Sequence, residues 1–189
     1  METLLYSMIL VILLLTIELG RLLYKNHKIS KQLRDYNNEG FWHKVAITDE
    51  LTGIYNRTAY SEHIAELEKS HTFEHLGIAL FDVDNFKEIN DKKGHLEGDE
   101  ILKFVAKSIK SVFTPPTHYV YRIGGDEFAV ISRNTSERQI IERLIELRAV
   151  MGENSNIRLS NGYSVIQGDI RAAFKNADEM LYADKASRK

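Results

Sequence analysis

The sequence has no cysteine, which excludes a disulfide framework, a thiolate metal site and cysteine-based redox chemistry, and fits a cytosolic domain. It also lacks an excess of charge: 25 Lys and Arg stand against 27 Asp and Glu, a formal net charge of −2, so the balance makes no case for a nucleic-acid polymer as partner. The histidines around residues 71–75 have no metal-ligand partners at sensible spacing. Internal repeats and low-complexity tracts are absent, and nothing resembles a sensory domain. What is present is a globular composition, 43% apolar and 28% charged over 189 residues. That is enough for one good core with a short appendage, and too little for a second domain of ordinary size.

The small net charge hides an asymmetry. Residues 21–48 carry six Lys or Arg against two acids, so that segment is +4 and the rest sums to −6. Ahead of it, Thr3 to Ile17 carry no charge; as a helix they would span about 22 Å, short of the roughly 30 Å hydrocarbon core. Extension to Tyr24 supplies the length at the cost of Glu18 and Arg21, three apart on one helix face. A single membrane-spanning helix over residues 1–24 is expected. The rival, a secretory signal peptide, lacks a basic n-region and a small-x-small cleavage pattern. Arg21, Lys25, Lys28, Lys31 and Arg34 lie on the C-terminal side, which puts the following domain in the cytoplasm by the positive-inside rule.

Residues 25–43 read as a basic helical linker. Leu22, Ile29, Leu33 and Tyr36 have the spacing of a short coiled coil, with Asn26 at a seam position. An amphipathic connector with its basic face on anionic lipid fits equally well. Asn38-Glu-Gly40 breaks the helix, and Phe41 to Ala46, with Trp42 as a packing or membrane-interface residue, leads into a domain over 44–189.

Within that domain, Thr58 to Ser70 reads as a helix burying Tyr60, Ile64 and Leu67. Leu76 to Phe81 reads as a strand delivering Asp82, Val83 and Asp84 at its C-terminal end, a usual address for phosphate chemistry. Ile101, Leu102, Val105, Ala106, Ile109, Val112 and Phe113 recur at helical spacing until Pro115-Pro116. Ser136 and Gln139 form a capping-box pattern, Asn156 to Val165 a further strand, and Asp169 an N-cap for a last helix striped by Ile170, Ala173, Phe174, Ala177 and Leu181. Alternating strands and helices predict an α/β (α+β) domain with a mixed central sheet covered by helices.

The stretch Tyr121-Arg-Ile-Gly-Gly-Asp-Glu-Phe-Ala-Val-Ile131 reads as a tight β-hairpin. Gly124 and Gly125 suit the positive φ of a two-residue turn and leave bare backbone for a bulky ligand. Asp126 and Glu127 stand at its tip, where two carboxylates suit a divalent cation carrying phosphate. An ordinary turn, in which Gly and Asp are common, fits the same residues.

Two further stretches accompany the hairpin: Asp49-Glu-Leu-Thr-Gly-Ile-Tyr-Asn-Arg57, and the acidic run from Gly77 through Asp82-Val-Asp-Asn-Phe-Lys-Glu-Ile-Asn90 to Asp99. The three together resemble the GGDEF-domain diguanylate cyclases of bacteria over roughly residues 44–189. The resemblance implies a fold related to the polymerase palm and the class III nucleotide cyclases. It implies condensation of two GTP into cyclic di-GMP plus pyrophosphate, with Mg²⁺ or Mn²⁺, two in each active half-site. Asp82, Asp126 and the Val83 carbonyl fall on the family's metal-ligand positions. Asp126 is also the presumed base, and Glu127 beside it is a metal or nucleotide contact. Asn90 and Asp99 occupy guanine-contacting positions that helix capping would equally explain. Phe86, Lys87, Gly124 and Gly125 lie by the nucleotide, and Lys185 matches a phosphate-binding lysine. Asp84 reads as either a ligand or a strand-end structural residue, while Phe128, Leu51 and Leu181 read as core and Arg122 and His95 as structural.

Because one such domain holds one GTP, the resemblance implies a homodimer. With the N-terminal helix in the lipid bilayer, the chain would be a single-pass protein of the bacterial cytoplasmic (inner) membrane with its catalytic domain in the cytoplasm. The alternative is a catalytically inactive GGDEF module that binds GTP as a sensor or interaction protein. A relative making a mixed guanine-adenine dinucleotide ranks last, since Asp99 keeps the guanine-type residue.

Three departures qualify the match. Where many relatives carry an inhibitory Arg-x-x-Asp product site, this chain reads Pro115-Pro-Thr-His118, so no product feedback is expected there. The tail reads Asp184-Lys-Ala-Ser-Arg-Lys189, putting Lys189, a point charge, where relatives have a phosphate-binding arginine, with Arg188 one position away as a substitute. The Ser-x-Gly turn of relatives appears as Ser160-Asn161-Gly162, with a polar residue in the middle of a strand.

Overall fold

The computed structural model describes residues 14–31, 45–70, 75–154, 157–166 and 168–188. They fall into two units that divide after Ala46. In the first, residues 14–31 are helical (α1), and Glu18 and Arg21 pair across one turn at 3.9 Å. Leu22 and Ile29 are exposed on α1. Among the described residues no helix is long and apolar enough to cross a membrane. Residues 1–13 of the expected span lie outside the described residues, as do Leu33, Tyr36 and Trp42 of the expected linker and lead-in.

The second unit runs α2 (Arg57–Ser70), β1 (Gly77–Val83), α3 (Phe86–Lys93), α4 (His95–Val112), β2 (His118–Arg122), β3 (Glu127–Ser132), α5 (Glu137–Asn154), β4 (Leu159–Val165) and α6 (Ile170–Ala186). The strands form one sheet in the order β2-β3-β1-β4, and every neighbouring pair is antiparallel. The expected mixed sheet is therefore antiparallel among its named strands. The helical crossover from β1 does bring β2 in parallel to it, but β3 lies between the two, and β1 separates β3 from β4 in the same way. The parallel pairing found among the described residues is an isolated bridge between Tyr55 and Tyr121.

Strand periodicity sorts the core into two faces. Ala79, Phe81 and Val83 of β1, with Phe128 and Val130 of β3, join the cluster under α4 and α5. Ile78 and Leu80, with Ala129 and Ile131, join the cluster under α2 and α6. The same period puts Asp82 and Asp84 on the α6 face. There the strand opposite is small: a Cβ on Gly162 would fall 2.0 Å from the Ala177 carbonyl oxygen and 2.4 Å from the Leu181 nitrogen. Glycine at 162 lets α6 lie directly on β4, so the C-terminal turn of α6 reaches the acids at the end of β1. The Ser160-Asn161-Gly162 segment is accordingly strand, paired with Asp82, Phe81 and Leu80.

The expected caps are present. Ser136 N–H donates to the Gln139 side chain at 2.8 Å, and Arg171 N–H donates to Asp169 Oδ1 at 2.8 Å. Asn56, with Oδ1 accepting from Ala59 N–H at 3.1 Å, caps α2. Helix α4 ends at Val112, ahead of the two prolines. His118 bonds the Ser132 hydroxyl at 2.8 Å and packs edge-on to Phe113, so it is absorbed into the sheet's edge.

Candidate active site

The hairpin differs from a two-residue turn. Strands β2 and β3 are joined by residues 123–126, with Ile123 N–H donating to the Glu127 carbonyl at 2.9 Å. Neither Gly124 nor Gly125 has positive φ; the described glycines that do are Gly53, Gly94 and Gly168. The loop needs glycine for space: a Cβ on Gly124 would stand 2.3 Å from Glu127 Oε2, whereas Gly125 faces open space.

Arg122 holds the loop in shape. Its Nε and Nη2 donate to the Gly125 carbonyl at 3.1 and 2.7 Å, and its Nη1 donates to the Asp49 carboxylate at 3.2 Å. Asp49 is itself fixed by the Thr52 amide at 2.9 Å and the Thr52 hydroxyl at 2.6 Å. Burial alone would raise the Asp49 pKa, but the Thr52 bonds and the Arg122 charge bring it below its ordinary value. The Asp49–Arg57 stretch thus acts as a buttress along β2, and Arg122 has the structural role expected of it.

Asp82 stands in register with Glu127 across β1 and β3, and Val83 N–H donates to the Asp126 carbonyl at 3.2 Å. Asp82 is 5% exposed, and its described polar partner is Lys185 Nζ, 2.5 Å from Oδ2. Burial raises its pKa, Asp126 and Glu127 push the same way, and Lys185 opposes them. Two residues on, Asp84 accepts from the Ser160 hydroxyl at 2.5 Å and from Arg188 Nη1 at 3.0 Å. Arg188 also donates to the Leu159 carbonyl at 2.8 Å and forks onto Asp184. Asp184 in turn accepts from Asn161 N–H at 2.9 Å, which ties α6 to the edge strand.

These groups border a cleft of about 900 Å³, at the upper end of the ~300–1,000 Å³ usual for small-molecule sites. Asp82, Val83, Phe86, Lys87, Asp126 and Lys185 line it together. Asn90, Asp99, Gly124, Gly125 and Glu127 are outside that lining, and Lys189 lies outside the described residues. Asn90 and Phe86 both pack against Gly98, the residue before Asp99: a Cβ on Gly98 would fall 2.0 Å from Asn90 Oδ1 and 3.3 Å from the Phe86 ring. Asn90 Oδ1 is buried and makes no hydrogen bond, so it is an acceptor whose desolvation an incoming N–H would offset.

The donor set fits a hard divalent cation. A desolvated carboxylate, a second carboxylate in the loop that leads into the neighbouring strand and a strand-end carbonyl are oxygen ligands of the required kind, and phosphate oxygens can complete the shell. Among the described residues no three His, Asp or Glu side chains are grouped so as to hold a metal ion by themselves. Sequence reading missed Arg158, which lines this cleft, and Ser160 and Asp184, which hold Asp84 and Arg188 from outside its lining. The Asp184–Arg188 spacing of one helical turn was the signal available for one of them.

Fold and cleft define an α+β domain with an acidic, cation-rimmed pocket at one end of an antiparallel sheet. The chain belongs to the GGDEF family: residues 46–189 match the profile described as "Diguanylate cyclase, GGDEF domain". Diguanylate cyclase DgcP of Pseudomonas aeruginosa is 38% identical over 152 residues, 74% of this chain and 22% of that protein. An uncharacterized membrane protein of Staphylococcus aureus is 30% identical over 152 residues, 72% of this chain and 42% of the relative. The chain therefore spans less than half the length of these curated relatives. The crystal structure of the coiled coil and GGDEF domain of DgcB from Caulobacter crescentus, in complex with c-di-GMP, superposes with a TM-score of 0.74. It is 28% identical, covering 89% of this chain and 95% of that one.

Proposed function

We propose that the chain is a diguanylate cyclase that joins two GTP into cyclic di-GMP, acting as a homodimer with one GTP in each subunit. One observation carries the reading: Asp82 and Asp126, 44 positions apart in the sequence, line one cleft together with Lys87 and Arg158, whose side chains pair with no described residue. The activity of DgcP and the c-di-GMP in the DgcB structure support the choice of product.

In the reaction, the ribose 3′-oxygen of one GTP bonds to the α-phosphorus of the other. The bond from that phosphorus to the β-phosphate oxygen breaks, and pyrophosphate leaves with its electron pair. The hydroxyl proton passes to a carboxylate, for which Asp126 is placed at the hairpin tip with Glu127 beside it. Repetition closes the ring, so two domains must face each other across a two-fold axis. Asp82, Asp126 and the Val83 carbonyl would hold the Mg²⁺ or Mn²⁺ ions, two in each half-site, which neutralise phosphate charge and acidify the attacking hydroxyl when bound. Lys185, released from Asp82, and Lys87 donate to phosphate. Asp99 and the unpaired Asn90 oxygen accept from the N1 and N2 hydrogens of guanine.

Residues 1–24 would hold the domain at the cytoplasmic membrane and so raise the local concentration of partner subunits; the Staphylococcus relative described as a membrane protein supports this. With His118 in the sheet edge, we further propose that product does not inhibit through residues 115–118. Added cyclic di-GMP should leave the initial rate unchanged, and strong inhibition would contradict the proposal. The test of the main reading is incubation of the full chain in detergent with GTP and Mg²⁺, followed by chromatography of the nucleotides. Cyclic di-GMP that disappears in Asp126→Ala is expected. GTP binding without product would instead favour a non-catalytic GTP-binding module, a reading that the full engagement of Arg188 by Asp84, Asp184 and Leu159 supports.

A further inference from the structure

We infer that Arg158 supplies the guanidinium that grips the triphosphate, an inference that rests on reading the cleft as a GTP site. A triphosphate needs cations whose donors are not already committed. Among the described residues, five basic side chains line the cleft: Lys87, Lys93, Lys185, Arg158 and Arg188. Lys185 is matched by Asp82 at 2.5 Å and Lys93 by Glu97 at 3.8 Å. Arg188 spends its Nε, Nη1 and Nη2 on Asp184, Asp84 and the Leu159 carbonyl. Lys87 and Arg158 are exposed, and their side chains make no hydrogen bond or ion pair with any described residue.

Of these two, Arg158 alone carries the planar fork that takes two phosphate oxygens at once, whereas Lys87 is a point charge. Its backbone is already fixed at the right place. The Arg158 carbonyl accepts from Asp84 N–H at 3.0 Å, which holds its Cα beside the Asp84–Asn85 turn where β1 opens into α3. The guanidinium thus enters from the start of β4, not from the C-terminal tail, whose corresponding position is Lys189. Arg158 also borders a neighbouring cavity of about 620 Å³ under α5, so the alternative is a guanidinium solvated on that side.

The test is calorimetric titration of the full chain in detergent with Mg²⁺ and 3′-deoxyGTP, which lacks the attacking hydroxyl, alongside GMP and 3′-deoxyATP. Arg158→Ala should weaken 3′-deoxyGTP binding about 10- to 100-fold, the loss expected for charge-assisted hydrogen bonds. GMP affinity should stay unchanged, and Arg158→Lys should recover only part of the loss. Unchanged triphosphate affinity in Arg158→Ala, or an equal loss for GMP, would overturn the inference. Preference of the wild type for 3′-deoxyGTP over 3′-deoxyATP keeps the GTP reading intact in either case; absence of any guanine-nucleotide binding sinks both.

Discussion

Asp82 and Asp84 leave β1 two residues apart on the same face of the sheet, and each meets a cation from the end of α6, yet they are held in opposite ways. Asp82 is buried, has Lys185 as its described polar partner and is pushed toward protonation by burial, Asp126 and Glu127. Asp84 has Ser160 on one oxygen and Arg188 on the other, and Arg188 is locked in turn by Asp184. The first region concentrates negative charge that a divalent cation would relieve. The second is electrostatically closed and fixes α6 against β4. On the proposed function, acids of one motif divide between chemistry and construction, and their hydrogen-bond partners distinguish them.

Breaking the charged end should have the largest effect. Asp82→Asn is expected to lower the rate of cyclic di-GMP formation by at least about 10²–10³-fold, the scale for losing one element of transition-state charge stabilisation. Thermal melting should hold or rise, because a desolvated carboxylate beside two others is removed. A melting point that collapses with the activity would make Asp82 a structural residue like its neighbour.

Gly162→Ala attacks both ends at once. The added methyl would meet the Ala177 carbonyl at 2.0 Å, and lifting α6 withdraws Lys185 and Arg188 together. A loss of about 1–3 kcal/mol in denaturant unfolding is expected, as for other overpacked contacts. Asp84→Asn should cost less, about 1 kcal/mol for weakened charge-assisted bonds, with activity kept within about tenfold. Equal activity losses in Asp82→Asn and Asp84→Asn would erase the distinction between the two.

The smallest effect sharpens the comparison through pH. Asp49, on the buttress, has its pKa depressed in the fold; it contributes stability above the ordinary value of 3.8, which is lost as pH falls through the depressed folded value. Asp82 has its pKa raised, so the fold binds its proton more readily than the unfolded chain, and stability falls as pH rises from 3.8 through the raised value. Urea titrations across the acid range should show Asp49→Asn flattening the acid loss and Asp82→Asn flattening the opposing slope. Parallel profiles for the two variants would contradict the assigned signs.

Helices α4 and α6 and strand β1 were legible because apolar periodicity and local caps such as Asp169 specify them within a few residues. The hairpin was legible as a pair of apolar runs around an acidic tip. Its turn was not, because Gly124 makes room there for the Glu127 side chain and the loop is held by Arg122, whose partner Asp49 is 73 positions away. Helix α3 escaped notice since none of its 8 residues is buried. The metal-ligand candidates could be named from the resemblance, but the role of Asp84 depended on Arg188, 104 positions distant, a pairing that only the packing of α6 on Gly162 creates.

The most direct test of the central claim, that Asp82 and Asp126 form the cation site while Asp84 does not, is Mn²⁺ binding read by electron paramagnetic resonance. The full chain in detergent would be titrated in the presence of 3′-deoxyGTP, comparing wild type with Asp82→Asn, Asp126→Asn and Asp84→Asn. Loss of bound Mn²⁺ in the first two variants and its retention in the third is the predicted result. Retention in Asp82→Asn, or loss in Asp84→Asn with the fold intact, would contradict the account.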